Sequence, residues 1–208
     1  MPVCPRQPGS WCAEMSFPSG WRIFWLLWRL GLPTPCLLSL QAPSLLGVSK
    51  AADRNALEKA LKTAANYDDK ILVEEFIHGR EIEVAVLGNE LPVASICGEI
   101  DSGADFYDYE AKYVTDTSTA YIPARIPADV QETVRQLAVK VYTAIGCQGL
   151  SRVDFFVTYA DNRIVFNEIN TLPGFTSISM YPKLFEASGV PYSQLIDRLI
   201  CFAREAGV

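Results

Sequence analysis

The sequence has one histidine, His78, in 208 residues, and none of its six cysteines forms a C-x-x-C pair. A zinc site of ordinary spacing is thereby excluded, because such sites draw on closely spaced Cys and His. Cys4, Cys12, Cys36, Cys97, Cys147 and Cys201 are scattered. That pattern reads as buried thiols in a reducing compartment, the cytoplasm, rather than as a disulfide framework. Excess basic charge is lacking too. With 18 Lys and Arg against 24 Asp and Glu, the formal net charge is −6, the opposite of what non-specific nucleic-acid binding requires. Long apolar runs are also missing. The stretch from Trp21 to Leu32 is interrupted by Arg22 and Arg29 and followed by Pro33, Pro35 and Pro43, whereas a membrane span needs ~20 mainly apolar residues. The start does not fit a signal peptide either, since a Pro/Ser/Gly spacer and Glu14 replace the clean apolar core. There is no internal repeat. Half the residues are hydrophobic, enough for the packed core of one domain, or one domain with an appendage.

Composition changes sharply near Val48. Before it the only charged residues are Arg6, Glu14, Arg22 and Arg29, and all four tryptophans lie there. Residues 1–47 are therefore expected to be a poorly ordered extension. After Val48 the pattern is regular. Asp53 can cap a helix carrying Leu57, Leu61 and Ala64 at helical spacing. Strands are expected at 71–76, 81–87 and 91–97, the last two joined by a Gly88-Asn89 turn. Residues 98–116 are polar and rich in Gly, Asp and Tyr, hence a long loop. A helix should begin at Pro127, carry Val130, Val134, Leu137, Val141 and Ile145, and close at Gly146. Two strands, a Pro/Gly turn and a last helix over 192–206 complete an α+β chain with a mostly antiparallel sheet flanked by helices.

The most informative segment runs from Ser151 to Asn170. If Ala160, Asp161 and Asn162 form a three-residue turn, Tyr159 pairs with Arg163. Counting back then sets Asp154 opposite Glu168 and Arg152 opposite Asn170. A period of two puts these four side chains on one face and Val153, Phe155, Val157, Val165 and Ile169 on the core face. Carboxylates directly opposite one another repel. A hard divalent cation would offset that, since Mg²⁺ takes oxygen ligands and bridges carboxylates to phosphates. Asn170 adds a neutral oxygen, and Arg152 could stabilise transferring charge. The same spacing also fits a solvated polar face on which Arg152 pairs with Asp154.

Three ordered motifs carry a resemblance. Arg152-Val153-Asp154 with the run Asn167 to Thr176 (NEINTLPGFT), the segment Phe106 to Tyr113 (FYDYEAKY), and Val73 to Ile77 followed by Gly79 to Val84 (VEEFI, GREIEV) together resemble the D-alanine–D-alanine ligases of the ATP-grasp superfamily. The likeness runs from about Val48 to the C-terminus. It implies ATP, two Mg²⁺ (Mn²⁺ as substitute) and the ligation of two D-alanines through an acyl phosphate for peptidoglycan precursors. It assigns Asp154, Glu168 and Asn170 to the metals. Arg152 and the Gly174 backbone fall to the tetrahedral intermediate, and Lys112 to phosphate. Glu74, with main chain near Phe76 and Ile77, falls to adenine, and Glu81 to ribose. Ser179 and Met180 fall to the carboxylate of the second D-alanine, and Tyr113 to acceptor choice. A homodimer is implied as well. Glu83 alternates with apolar residues, and an exposed strand face accounts for it.

The resemblance also divides the chain. It makes 48–73 the remnant of a central lobe and 74–208 the C-terminal nucleotide- and metal-binding domain, with 1–47 outside the family. The family's N-terminal domain for the first D-alanine has no counterpart here. Pro43-Ser44-Leu45-Leu46-Gly47 departs from the family's Gly/Ser-rich phosphate loop. An incomplete ligase is therefore expected; a non-catalytic remnant, or a carboxylate–amine ligase with another acceptor, is the alternative.

Overall fold

A computed structural model describes residues 36–40, 49–68, 71–101, 119–176 and 178–207. They divide into two compact units between Phe76 and Ile77.

The first unit holds a three-stranded antiparallel sheet. Its order is β2 (Ser49–Ala51), β1 (Cys36–Leu40) and β3 (Ile71–Glu75). Helix α1 (Arg54–Ala64) starts where expected, the Asp53 carboxylate accepting from the Ala56 N–H at 2.8 Å. Its Ala60 and Leu61 pack with Ala51. Strand β1 lies inside the stretch expected to be a poorly ordered extension. It is an uncharged five-residue run, and its backbone pairs with both β2 and β3.

The second unit is built on a six-stranded antiparallel sheet ordered β7 (Thr119–Tyr121), β6 (Gly98–Asp101), β4 (Gly79–Leu87), β8 (Leu150–Thr158) and β9 (Ile164–Asn170), with the short β5 (Val93–Ala94) also on β4. The strand expected over 91–97 thus shrinks to two residues. Ser95 explains the interruption: its hydroxyl accepts from the Ala85 N–H at 3.0 Å and donates to the Ile96 carbonyl at 2.8 Å, so a side chain stands in for part of the ladder. The chain then pairs again at Gly98, against Glu83, where the sequence suggested a loop.

Each face of this sheet has its own core. Ile82, Val84, Val86, Val153, Phe155 and Val157 face helix α2 (Ala128–Ala144), which contributes Val134, Ala138 and Tyr142. The opposite face presents Ala85 and Leu87 to helices α3 (Met180–Ala187) and α4 (Tyr192–Glu205), with Met180, Tyr181, Leu184, Phe185 and Leu195 buried between them. Helix α3 was not foreseen. It is only eight residues long, and Pro182 in its first turn resembles a turn signal. A Schellman ending closes it. Gly189 takes φ +85°, its N–H donates to the Glu186 carbonyl, and the Val190 N–H donates to that of Phe185.

Burial separates the thiols. It pushes Cys97 up to about 12 and also raises Cys147, whereas Cys201 is exposed. Because the thiolate is the reactive form, alkylation at pH 8 with peptide mapping should label Cys201 fast, Cys147 slowly, and Cys97 only on unfolding. Labelling of native Cys97 at the rate of Cys201 would contradict this packing.

Candidate metal and substrate site

Where α3 and α4 stop covering the sheet, the same face becomes polar. Leu87 pairs with Leu150 and Ala85 with Arg152; one step further Glu83 pairs with Asp154. On the other side of β8, Arg152 pairs with Asn170 and Asp154 with Glu168. Glu83, Asp154 and Glu168 therefore form a row of three carboxylates across three adjacent strands. Glu83 and Asp154 are 4% and 2% exposed, and Glu168 is open to solvent.

The register reaches this arrangement by an unexpected route. The turn has four residues, not three. Thr158 donates its N–H to the Arg163 carbonyl, and its hydroxyl donates to the Asp161 carboxylate while accepting from the Arg163 N–H at 2.8 Å. Asn162 takes the left-handed conformation, φ 54°, which Asn tolerates. Phe155 then pairs with Phe166 and Val157 with Ile164, until a bulge between Asp154 and Phe155 restores the expected pairs. Asn167 is the additional residue, and Phe166, Asn167 and Glu168 are all exposed. One expectation falls as a result. Ile164, not Val165, lies opposite Val157 and packs on the core, because a shift of one residue exchanges faces.

Arg152 sits at the centre of the row. Its Nε and one terminal nitrogen donate to the two oxygens of Asp154 at 2.8 and 2.7 Å, and Nε lies 3.4 Å from a Glu83 oxygen. Burial alone would lower the affinity of this guanidinium for its proton. The hydrogen bonds to Asp154 and the charges of Glu83, Asp154 and Glu168 outweigh burial and hold it above its ordinary value. Arg152 thus faces Glu83, Asp154 and Glu168 together.

The loop after β9 begins by folding on Asn170, whose Oδ1 accepts from the Leu172 N–H at 3.1 Å. It ends on Ser179, whose Oγ accepts from the Thr176 N–H at 3.0 Å and lies 2.8 Å from the Thr176 hydroxyl. Gly174 borders that hydroxyl: a Cβ there would stand 2.9 Å from Ser179 Oγ. Ser179 is also the N-cap of α3. Met180 turns its side chain into the core beneath α3, so only its main chain is left to meet a substrate.

The remaining expected residues are distributed as follows. Glu74 lies on β3 and Phe76 ends the first unit, whereas Ile77 and Glu81 belong to the second, Glu81 on β4. Lys112 and Tyr113 fall outside the described residues.

Comparison with known proteins accords with this geometry. The family model described as the D-ala D-ala ligase C-terminus matches residues 29–201. The chain belongs to this family. The D-alanine–D-alanine ligase of Chlorobium limicola is 57% identical over 162 residues, 78% of this chain and 45% of the relative. That of Ruminiclostridium cellulolyticum is 56% identical over 177 residues, 84% and 47%. The solved VanG D-Ala:D-Ser ligase from Enterococcus faecalis superposes with TM-score 0.79 and 36% identity, over 92% of this chain and 58% of that one. The D-alanine–D-alanine ligase from Coxiella burnetii does so with TM-score 0.73 and 34% identity, over 91% and 49%. The chain thus spans about half the length of the relatives it matches. The family match begins at residue 29, within the segment expected to lie outside the family.

Membership in a ligase family makes the donor chemistry the next question. Among the described residues no three His, Cys, Asp or Glu side chains close on a single point. The set instead comprises two carboxylates, Asp154 and Glu168, plus the Asn170 amide. All are hard oxygen donors, and an incomplete shell of this kind suits Mg²⁺, which keeps positions for phosphate and water. Both Asp154 oxygens already accept from Arg152, but a carboxylate has about four acceptor positions, so the residues fit a divalent cation. Glu83 is the residue that sequence reasoning missed. It is buried and ion-paired, not part of an exposed face, and no single-sequence signal places it beside Asp154, because β4 and β8 lie far apart along the chain.

Removing the guanidinium would leave buried carboxylates without their cation, a change that typically costs 3–5 kcal/mol. Arg152→Met is therefore expected to lower stability by about 3 kcal/mol, measured by urea unfolding at neutral pH. An unchanged midpoint would show that Arg152 does not neutralise this row.

Proposed function

We propose that this chain forms the nucleotide- and metal-binding half of an ATP-dependent ligase that joins two D-alanines for peptidoglycan precursors in the cytoplasm. The supporting observation is the Asp154–Glu168 pair on one sheet face with Arg152 and Asn170 beside it. Phosphoryl transfer is governed by positioning and charge neutralisation rather than by covalent participation of the protein, and the site is composed accordingly. Asp154, Glu168 and Asn170 would hold two Mg²⁺ ions, whose chemistry is to neutralise the charge of the transferring phosphoryl group.

The other residues take complementary roles. Glu74, the main chain at Phe76 and Ile77, and Glu81 receive the nucleoside, and Lys112 contacts phosphate. Arg152 and the Gly174 N–H stabilise the oxygens of the tetrahedral intermediate formed when the acceptor amine attacks the acyl phosphate. The acceptor carboxylate lies at Ser179 and the first-turn amides of α3, where unpaired N–H groups favour an anion. Tyr113 biases the acceptor towards D-alanine. Residues 48–73 are a central-lobe remnant and 74–208 the catalytic lobe. Among the described residues no helix is long and apolar enough to cross a membrane. Likeness to a D-Ala:D-Ser ligase makes D-serine the acceptor to test beside D-alanine.

Two measurements test this reading. Calorimetric titration with Mg-ATP should show Glu168→Gln binding at least about tenfold more weakly than the parent, as for loss of a group supporting a metal; equal binding would remove the metal assignment. Phosphate release from ATP should require D-alanine. Release only with D-serine would reassign the acceptor. Glu168-dependent Mg-ATP binding without release on either acceptor would leave a nucleotide-binding chain that does not ligate.

A further inference from the structure

We infer that Glu83 is a positioning residue that receives the Arg152 guanidinium when a divalent cation takes Asp154. The inference rests on the metal reading above and adds to it a residue that no part of that reading uses.

Three observations carry it. First, Glu83 and Asp154 are direct cross-strand partners on the same face, both almost fully buried. Buried carboxylates side by side repel, and a cation that serves both offsets the repulsion. Second, Arg152 Nε already lies between them, 2.8 Å from an Asp154 oxygen and 3.4 Å from a Glu83 oxygen. A small displacement exchanges the close partner for the distant one without exposing the charge. Third, Arg152 holds both oxygens of Asp154. A divalent cation held by Asp154 and Glu168 would compete with this guanidinium for the Asp154 oxygens. Without Glu83 the guanidinium would have to stay against the metal or lose its buried partner. With Glu83 it turns towards β4 and remains neutralised.

A Mn²⁺ titration, with free ion counted by its paramagnetic resonance, compares the parent with Glu83→Gln, Arg152→Met, the double variant and Glu168→Gln. Glu83→Gln should bind Mn²⁺ about tenfold more weakly, the lower end of the usual effect of residues supporting a metal's ligands. In the Arg152→Met background the same change should have almost no effect, because there is no guanidinium to receive. Equal affinity of parent and Glu83→Gln would overturn the inference. So would the same loss in both backgrounds, which would make Glu83 a direct ligand or a simple negative charge. If Glu168→Gln binds like the parent, or the parent does not bind, the metal reading itself fails and this inference falls with it. Should Arg152→Met not fold, the Arg152 Nε–H resonance decides. A shift on adding Mg²⁺ to the parent that Glu83→Gln lacks supports the transfer; identical behaviour of the two overturns it.

Discussion

One guanidinium among three carboxylates is the constraint from which the site follows. Glu83, Asp154 and Glu168 are brought into a row by the ladder itself, since adjacent antiparallel strands set cross-strand partners about 4.5–5.5 Å apart. Two of them are buried, where charge is costly unless paired and hydrogen-bonded. Arg152 supplies that pairing. The other face of the sheet shows the contrast. There the buried Glu99 lies 2.7 Å from Arg125 and 3.5 Å from Arg80, and Arg125 also reaches Asp101 at 2.7 Å. Among the described residues, two carboxylates meet two guanidiniums in that cluster. Arg152, by contrast, is shared among carboxylates on the opposite face, the face that carries the proposed metal ligands.

Holding such a row requires a rigid sheet. The strands that carry it, β4 and β8, are paired along their whole length, from Gly79 with Thr158 to Leu87 with Leu150. Apolar layers cover much of both faces. Burial of each large core side chain contributes roughly 1.5–3 kcal/mol, so the two cores readily exceed the few kcal/mol that a partly neutralised carboxylate row costs. The polar patch begins where α3 and α4 end, at the step from Ala85 to Glu83. The site is therefore an uncovered strip of an otherwise packed sheet.

Much of this was legible in the sequence, and its errors have physical causes. Helices α1 and α2 follow the 3.6-residue period and their capping residues. The opposition of Asp154 and Glu168 follows from a period of two counted from the turn. That count assumed a three-residue turn and no bulge. The structure has a four-residue turn and one bulge, and the two displacements cancel at the carboxylates but not at Ile164 and Val165. Local pattern does not encode a bulge, because the extra residue is recognised only against its partner strand. Long-range pairing hid Glu83 for the same reason. Helix α3 was hidden because its eight residues are too few for a period to stand out and Pro182 sits in its first turn.

The segment from Asn170 to Met180 joins the two halves of the proposed chemistry. Asn170 is the last residue of β9 and a metal-ligand candidate, and its side chain also fixes the first turn of the loop through Leu172. Ser179 closes the far end of that loop on Thr176 and opens α3, whose Met180, Leu184 and Phe185 are locked into the core beneath the sheet. Both ends of the loop are therefore anchored to the same rigid body. Gly174, midway, brings its backbone close to Ser179 Oγ, which would stand 2.9 Å from a Cβ at that position. A cation held at the sheet and a carboxylate held at the helix start would be spaced by this anchored loop rather than by a flexible linker. Effective molarity in a ligation depends on that spacing, since reacting groups must be held about 3–3.5 Å apart for orientation to count. The apolar packing of α3 would in this sense set the distance between the proposed metal and acceptor positions.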